Sequence, residues 1–432
     1  MLPMPSYFRR DIYPRLPALI KKFGTTFHFY SKPGILKTGK FMRSAFKSLT
    51  YRQYFAVKAL PEPWILEFLF KELGFGFDCS SIAELVMARA VGARKHDIIF
   101  TSNDTSDEEF ACAAKDDGCI LNLDDITFIH LIRTFPRVIC FRVNPGKLRK
   151  GGSIIGEPYK SKYGITYEQI LYAYKTVMSR GAEYIGIHTM ICSNERHASY
   201  FVETARSMLE VAALLYSKLG IKVEFINIGG GFGIPYRPSD PELHLEWIGK
   251  KISKLFHDFA GQYGFIPILL TECGRFVTGP HGILVNPVLH VMQKYRRYIG
   301  VAAAMTGCPR PAFYGAYHHI DVLLPNGRPI LGSRCYTNVV GPKCENWDRL
   351  TAVDKERLLP KFVKRGDILV TGNCGAHSGA MADNYNGRTR LMGLLDQDGT
   401  NENTIMIRRA ETIKDLFSTI PWSPNFTLPG QE

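Results

Sequence analysis

Eight short runs rich in β-branched and aromatic residues recur between residues 53 and 271, with a longer amphipathic stretch after most of them. That alternation restricts the chain to repeated βα units around a parallel sheet. The strand-like runs cover 53–57, 74–78, 97–101, 119–123, 138–143, 184–189, 224–228 and 266–271. Helical periodicity fills 63–73, 82–91, 106–117, 125–135, 167–180, 198–219 and 244–263. Ser81 and Ser106 stand where an N-cap belongs, and Gly74, Gly92, Gly118, Gly181 and Gly220 where a left-handed residue ends a helix. Eight strands in this order predict an α/β fold, a (β/α)8 TIM barrel. Beyond Gly282 the runs 282–292, 328–340, 367–372 and 403–408 are separated by Gly, Pro, Asn and Asp turns, which predicts a β-rich C-terminal domain. The expected division is 25–281 for the barrel and 282–432 for the β-rich domain, with 1–24 free to contribute to the latter.

A chain of 432 residues, 45% hydrophobic and 22% charged, can bury a real core. Apolar stretches such as 299–305 and 265–270 fall far short of the roughly 18–20 residues that span a bilayer, so no transmembrane helix is expected. Residues 1–22 lack the apolar centre of about 7–15 residues of a secretory signal. The ten cysteines form neither a CxxC pair nor a Cys/His cluster of zinc spacing. They predict cytosolic thiols, a cytoplasmic protein and no metal site. The net charge of +14, from 54 basic and 40 acidic residues, raises a nucleic-acid reading. The basic residues are dispersed, however, and no basic run is interleaved with stacking aromatics. An anionic substrate or cofactor explains the sign as well, and neither a nucleic acid nor a membrane is the expected partner.

Active sites of barrels are built from the loops that follow the strands. Reactive residues gather there: Lys58 after the first strand, Asp78 at the end of the second, Arg142 at the end of the fifth, His188 to Ser193 leaving the sixth, Gly229–Gly230–Gly231 leaving the seventh, and Glu272, Gly274 and Arg275 leaving the eighth. An apolar strand would desolvate Lys58 and favour its neutral amine, which condenses with carbonyls. Taken alone, a lysine after a strand is more often a solvated loop residue. The bare backbone of Gly229–Gly231 can approach a phosphate, although three glycines alone mark only a turn. Glu272 can hydrogen-bond a protonated ring nitrogen, or simply pair with Arg275. An amine, an anion cradle and a carboxylate together describe a pocket for pyridoxal 5′-phosphate. The Walker A pattern is absent.

These residues belong to motifs that occur in order: YFAVK at Lys58, FDCSS at Asp78, RVNP at Arg142, SKYGI at Ser161, GGGFG, ECGR, RPAFYGAYHHI at Arg310, GPKCENWD at Gly341 and NYNGR at Asn384. In them the chain resembles the alanine-racemase-like (fold type III) pyridoxal-phosphate decarboxylases from about residue 27 to about 394. It is most similar to the diaminopimelate decarboxylases and more distantly to ornithine and arginine decarboxylases. The resemblance implies that Lys58 bonds the cofactor, that Ser193 and Gly229–Gly231 hold its phosphate, and that Glu272 binds its ring nitrogen. It also implies that Arg275, Arg310 and Tyr314 hold the distal end of the substrate. Cys344 and Glu345 would enter the neighbouring subunit's site, with Cys344 near the carbon protonated after CO2 leaves, which makes the enzyme a homodimer with shared active sites.

Two departures bear on the substrate. Met190 stands where the family has a histidine stacked on the cofactor, and His377 where it has a tyrosine. The expected activity is decarboxylation of meso-2,6-diaminopimelate to L-lysine and CO2, a step of lysine biosynthesis. The alternative is a related decarboxylase of another basic or diamino acid. A racemase would place arginine rather than Glu272 at the ring nitrogen, and Lys58 and Cys344 argue against a silent homologue. Glu345 and Asp348 are the acids available to a diamine-forming enzyme.

Overall fold

The computed structural model describes residues 4–151 and 156–421, so the end of the expected C-terminal domain, 422–432, lies outside the described residues. Strand β1 (Phe27–Ser31) departs from the expected division. Its five residues are buried, and it pairs antiparallel with 282–285 and parallel with 392–396. The chain forms two compact units, one of Lys32–His281 and one of Leu2–Ser31 with Gly282–Glu432. Residues 25–31, expected in the barrel, thus belong to the second unit. Phe8, Ile12, Tyr13, Leu16 and Leu19 join its core with Phe27, Phe29, Ile283, Val370 and Leu394.

In the first unit, β2 (Tyr51–Ala56), β3 (Gly76–Cys79), β4 (Lys95–Phe100), β5 (Cys119–Leu123), β6 (Val138–Arg142), β7 (Tyr184–His188), β8 (Phe225–Asn227) and β9 (Ile268–Thr271) close into a parallel barrel. β2 pairs with β9 through Tyr51↔Leu269 and completes the ring. Tyr54, Ile99, Ile120, Cys140, Phe225 and Leu270 pack together inside it. The two large rings fit because small residues face them. A Cβ on Gly76 would overlap the Tyr54 ring, and one on Gly186 the Phe225 ring. Parallel strands buried on both faces read as continuous apolar runs, which is why their positions were predictable.

Ser81 accepts the Glu84 N–H, and Ser106 with Glu109 forms a reciprocal capping box. Gly74 (φ 64°) and Gly220 (φ 70°) end their helices in the left-handed region, as expected. One helix was over-read: 125–135 contains only the short turn Ile126–His130. Five β-branched residues weaken its helical preference, and Pro136 disfavours helical backbone before it.

The second unit is a nine-stranded sheet of β1, β10 (Gly282–Gln293), β11 (Arg297–Val301), β12 (Ile320–Leu323), β13 (Arg334–Val340), β14 (Arg357–Pro360), β15 (Ile368–Thr371), β16 (Met392–Asp396) and β17 (Thr404–Arg408). β1 lies between β10 and β16. The run 328–340 is a strand only from Arg334, since Gly332 takes a φ of 104°. Among the described residues, no helix is long and apolar enough to cross a membrane.

Candidate active site

The C-terminal ends of the barrel strands gather the groups expected there. Lys58 sits in the turn Val57–Ala59 directly after β2, with its Nζ 3.8 Å from Asp78 Oδ2 on β3. Its side chain is 54% exposed, so the desolvation expected from the apolar strand is not what surrounds this amine. Desolvation falls instead on Asp78. Burial, and then the nearby Glu272 charge, push its carboxyl up to about 8. The Lys58 contact is therefore a full ion pair only above that pH.

Glu272 is held from three sides. Its backbone N–H donates to the Gly229 carbonyl at 2.8 Å, its Oε1 accepts from Asn227 Nδ2 at 2.6 Å, and His188 Nε2 lies 3.1 Å from its Oε2. Asn122 Nδ2 is 2.8 Å from His188 Nδ1. An amide N–H there makes Nδ1 the acceptor and leaves the ring proton on Nε2, toward Glu272. Burial works to raise the Glu272 carboxyl, but His188, Lys58 and Asn227 outweigh it and hold the group below the ordinary carboxylate range. A carboxylate kept ionised in a buried place suits a protonated ring nitrogen.

The glycine run leaves β8. Gly229 (φ 70°) and Gly231 (φ 85°) adopt left-handed backbone. A Cβ on Gly230 would collide with the Glu272 carbonyl oxygen, and one on Gly229 with that of Thr189. Asn227 Oδ1 accepts the Gly229 N–H at 2.9 Å, so one side chain ties the cradle to the carboxylate. The Gly230 N–H points at Met190 Sδ, 3.2 Å away. Sulfur is a weak acceptor, so a phosphate oxygen would outcompete it. Arg275 Nη2 donates to Ser193 Oγ at 3.4 Å and Nη1 to Tyr236 Oη at 2.7 Å. Arg275 thus lies beside Ser193, both of them residues expected to meet the cofactor. These donors, the ionised Glu272 and the Lys58 amine fit pyridoxal 5′-phosphate.

Arg142 differs from expectation. Its Nη2 donates to the Met190 carbonyl at 2.7 Å, Nη1 is 3.7 Å from Asp124 Oδ1, and the guanidinium lies 4.2 Å from the centre of the Tyr163 ring. It fixes the loop after β7. His188 likewise acts on Glu272. Asn122, Asp124 and Tyr236 were not singled out, and Asn227, quoted with the glycine loop, was given no role; only its place at a strand end could have marked it. A cavity of about 740 Å³ opens at the other end of the strands. Its rim cations Arg52, Lys95 and Arg137 already pair with Asp97, Asp117 and Glu183.

The remaining expected residues lie in the second unit. Arg310 is buried at the start of the helix Arg310–Tyr314, whereas Tyr314 is half exposed. Cys344 is exposed, with its backbone N–H on Asn386 Oδ1 at 2.7 Å. Glu345 Oε1 accepts the Trp347 N–H, and His377 takes a φ of 54°. Asp348 is buried and accepts the N–H groups of Met305 and Lys343, so it is structural and cannot serve as the acid of a diamine-forming site.

A sequence profile described as the pyridoxal binding domain of pyridoxal-dependent decarboxylases matches residues 34–279. Protein TabA of Pseudomonas amygdali pv. tabaci is 39% identical over 98% of this chain and 97% of its own. A diaminopimelate decarboxylase of Methanothermobacter thermautotrophicus is 30% identical over 92% of each. The structure of a diaminopimelate decarboxylase from M. jannaschii in complex with L-lysine superposes with a TM-score of 0.83, at 26% identity over 96% of this chain and 95% of that one. With the cradle, the carboxylate and the lysine in one barrel mouth, these likenesses leave one conclusion: the chain belongs to the pyridoxal-dependent decarboxylases and uses pyridoxal 5′-phosphate.

Proposed function

We propose that the protein decarboxylates meso-2,6-diaminopimelate to L-lysine and CO2, as a cytoplasmic homodimer with shared active sites serving lysine biosynthesis. The observation that carries the reaction is the meeting of Lys58, Glu272 and the Gly229–Gly231 cradle at one end of one barrel. The substrate is supported by relatives that bear the name diaminopimelate decarboxylase and by the buried Arg310 guanidinium, whose fork matches a distal carboxylate. Ten free thiols suit a reducing compartment.

When bound, pyridoxal 5′-phosphate supplies the electron sink for the bond to the departing carboxylate. Lys58 Nζ would offer the amine that holds the cofactor. Asp78, titrating near 8, takes or returns a proton at Nζ. Glu272 stays ionised and keeps a ring nitrogen protonated. Ser193, Arg275 and the Gly230 N–H take the phosphate, and Met190 offers a sulfur face where an imidazole would stack. Cys344 of the second subunit, by the family resemblance, returns a proton to the carbon that CO2 has left.

A related amino-acid decarboxylase is the second reading. It is favoured by Met190, whose sulfur engages the cradle, and by a 39% identical relative that does not carry the diaminopimelate name. CO2 release from a panel of amino acids decides. Release from meso-2,6-diaminopimelate that disappears in Lys58→Ala supports the first reading, release only from another amino acid supports the second, and a cofactor-loaded protein inert toward every amino acid of the panel defeats both.

A further inference from the structure

Three side chains of the second unit that sequence spacing does not connect, Cys308, His318 and Cys374, are buried with their sulfur and ring nitrogen atoms within 4.8 Å of one another. Two thiols and an imidazole resemble a metal centre, but the hydrogen bonds of the ring argue for another role. His318 Nδ1 lies 2.9 Å from the Gly372 carbonyl oxygen. That oxygen only accepts, so Nδ1 carries a proton and has no lone pair to give a cation. His318 Nε2 lies 2.9 Å from Arg310 Nη1. A guanidinium only donates, so Nε2 is the acceptor. The ring is neutral, fixed in tautomer and committed at both nitrogens, and a cation at Nε2 would also meet the Arg310 charge.

Gly372 directly follows β15, and its own N–H donates to the His319 carbonyl at 2.8 Å. The end of a buried strand therefore anchors the ring, and the ring holds the guanidinium. Cys374 Sγ also turns to the Gly372 oxygen, at 3.5 Å, and Ser378 Oγ donates to Cys308 Sγ at 3.7 Å, which packs the ring from the side. Arg310 is 3% exposed. A long side chain in such a place directs its remaining N–H groups only if something fixes it from behind.

We propose that His318 is a positioning residue of the substrate site: pinned as the Nδ1–H tautomer on the Gly372 carbonyl, it fixes the Arg310 guanidinium that receives the substrate's distal carboxylate. This rests on the role given to Arg310 above. It makes His318 a determinant of substrate choice that never touches the reacting atoms.

Three variants separate the two hydrogen bonds. His318→Gln presents an acceptor oxygen near the Nε2 position, His318→Asn keeps a donor near Nδ1 but offers Arg310 nothing, and His318→Phe lacks both. On the cofactor-loaded enzyme, the Asn and Phe variants should raise KM for meso-2,6-diaminopimelate about tenfold or more while kcat stays within about twofold, and the Gln variant should recover most of the loss. Inhibition by cadaverine, the diamine that lacks the distal carboxylate, should stay within about twofold in all three. Equal behaviour of the Gln and Asn variants, or cadaverine binding weakened as much as KM, makes His318 an ordinary core histidine and overturns the proposal. If wild-type protein releases no CO2 from diaminopimelate, the functional reading fails first. Nitrogen-15 NMR of histidine-labelled protein then still decides the ring's part: the His318 signal, identified by its loss in the Gln variant, should report the Nδ1–H tautomer at neutral pH, and an Nε2–H or doubly protonated ring refutes it.

Discussion

Two buried carboxylates face the same lysine, and their surroundings drive them apart. Glu272 has His188 and Asn227 beside it and stays below the ordinary range, whereas Asp78 is burdened by burial and by the Glu272 charge and titrates near 8. The sign of the consequence follows from the proton count. Unfolded, Asp78 loses its proton near pH ~4; folded, it keeps it to about 8. Over that window the folded state binds the extra proton, so stability falls as pH rises and levels off above about 8. Asp78→Asn removes this dependence. The melting temperature of the cofactor-free variant, relative to wild type, should climb from pH ~5 to ~8 and then stay flat; a gain that shrinks with pH would refute the raised carboxyl. In the role proposed for Glu272, beside a protonated ring nitrogen, the charge itself is the function. Glu272→Gln keeps the shape, so cofactor binding should survive while kcat drops by about two orders of magnitude or more. A variant that loses the cofactor instead would make Glu272 a mere scaffold residue.

At the scale of elements, the barrel was legible because its strands are apolar throughout and its helices begin and end on Ser81, Ser106, Gly74 and Gly220. β1 was not, because FHFYS becomes a strand only through partners some 250 and 365 residues away in sequence. The site divides in the same way. Lys58, Glu272 and the glycines lie at strand ends, where the barrel rule looks for them. Asn122, Asn227 and Tyr236 act through amides and a hydroxyl that follow no period, and Arg142 and His318 are tied to carbonyls of distant segments, those of Met190 and Gly372. The glycine loop carries its own test. Gly230 does not take left-handed backbone, so an added methyl acts by collision with the Glu272 carbonyl alone. Gly230→Ala should weaken cofactor affinity by about tenfold or more, roughly 1.4 kcal/mol or more, with the melting temperature of the cofactor-free protein changed by only a few degrees. Unchanged affinity on titration with pyridoxal 5′-phosphate would show that the phosphate sits elsewhere.

For the whole molecule, the decisive question is whether a subunit's site is complete by itself. Lys58 belongs to the barrel unit, while Cys344 stands exposed in the other unit, on a turn held by Asn386 and by the buried Asp348 carboxylate. The shared site proposed above requires that a second copy of the chain receive this exposed thiol. In the homodimer proposed above, Lys58→Ala and Cys344→Ala should each disable every site of their own dimer. Unfolding and refolding an equal mixture gives half heterodimers by chance. In each of these, one site carries both defects and the other neither, so activity should return to about a quarter of wild type. Sedimentation must show the same dimer before and after, which separates subunit exchange from aggregation. If each subunit used its own Cys344, every site in the mixture would keep one defect and no activity would return. Recovery therefore measures the sharing of the site directly, and its failure in well-formed heterodimers would leave each subunit with a complete site of its own.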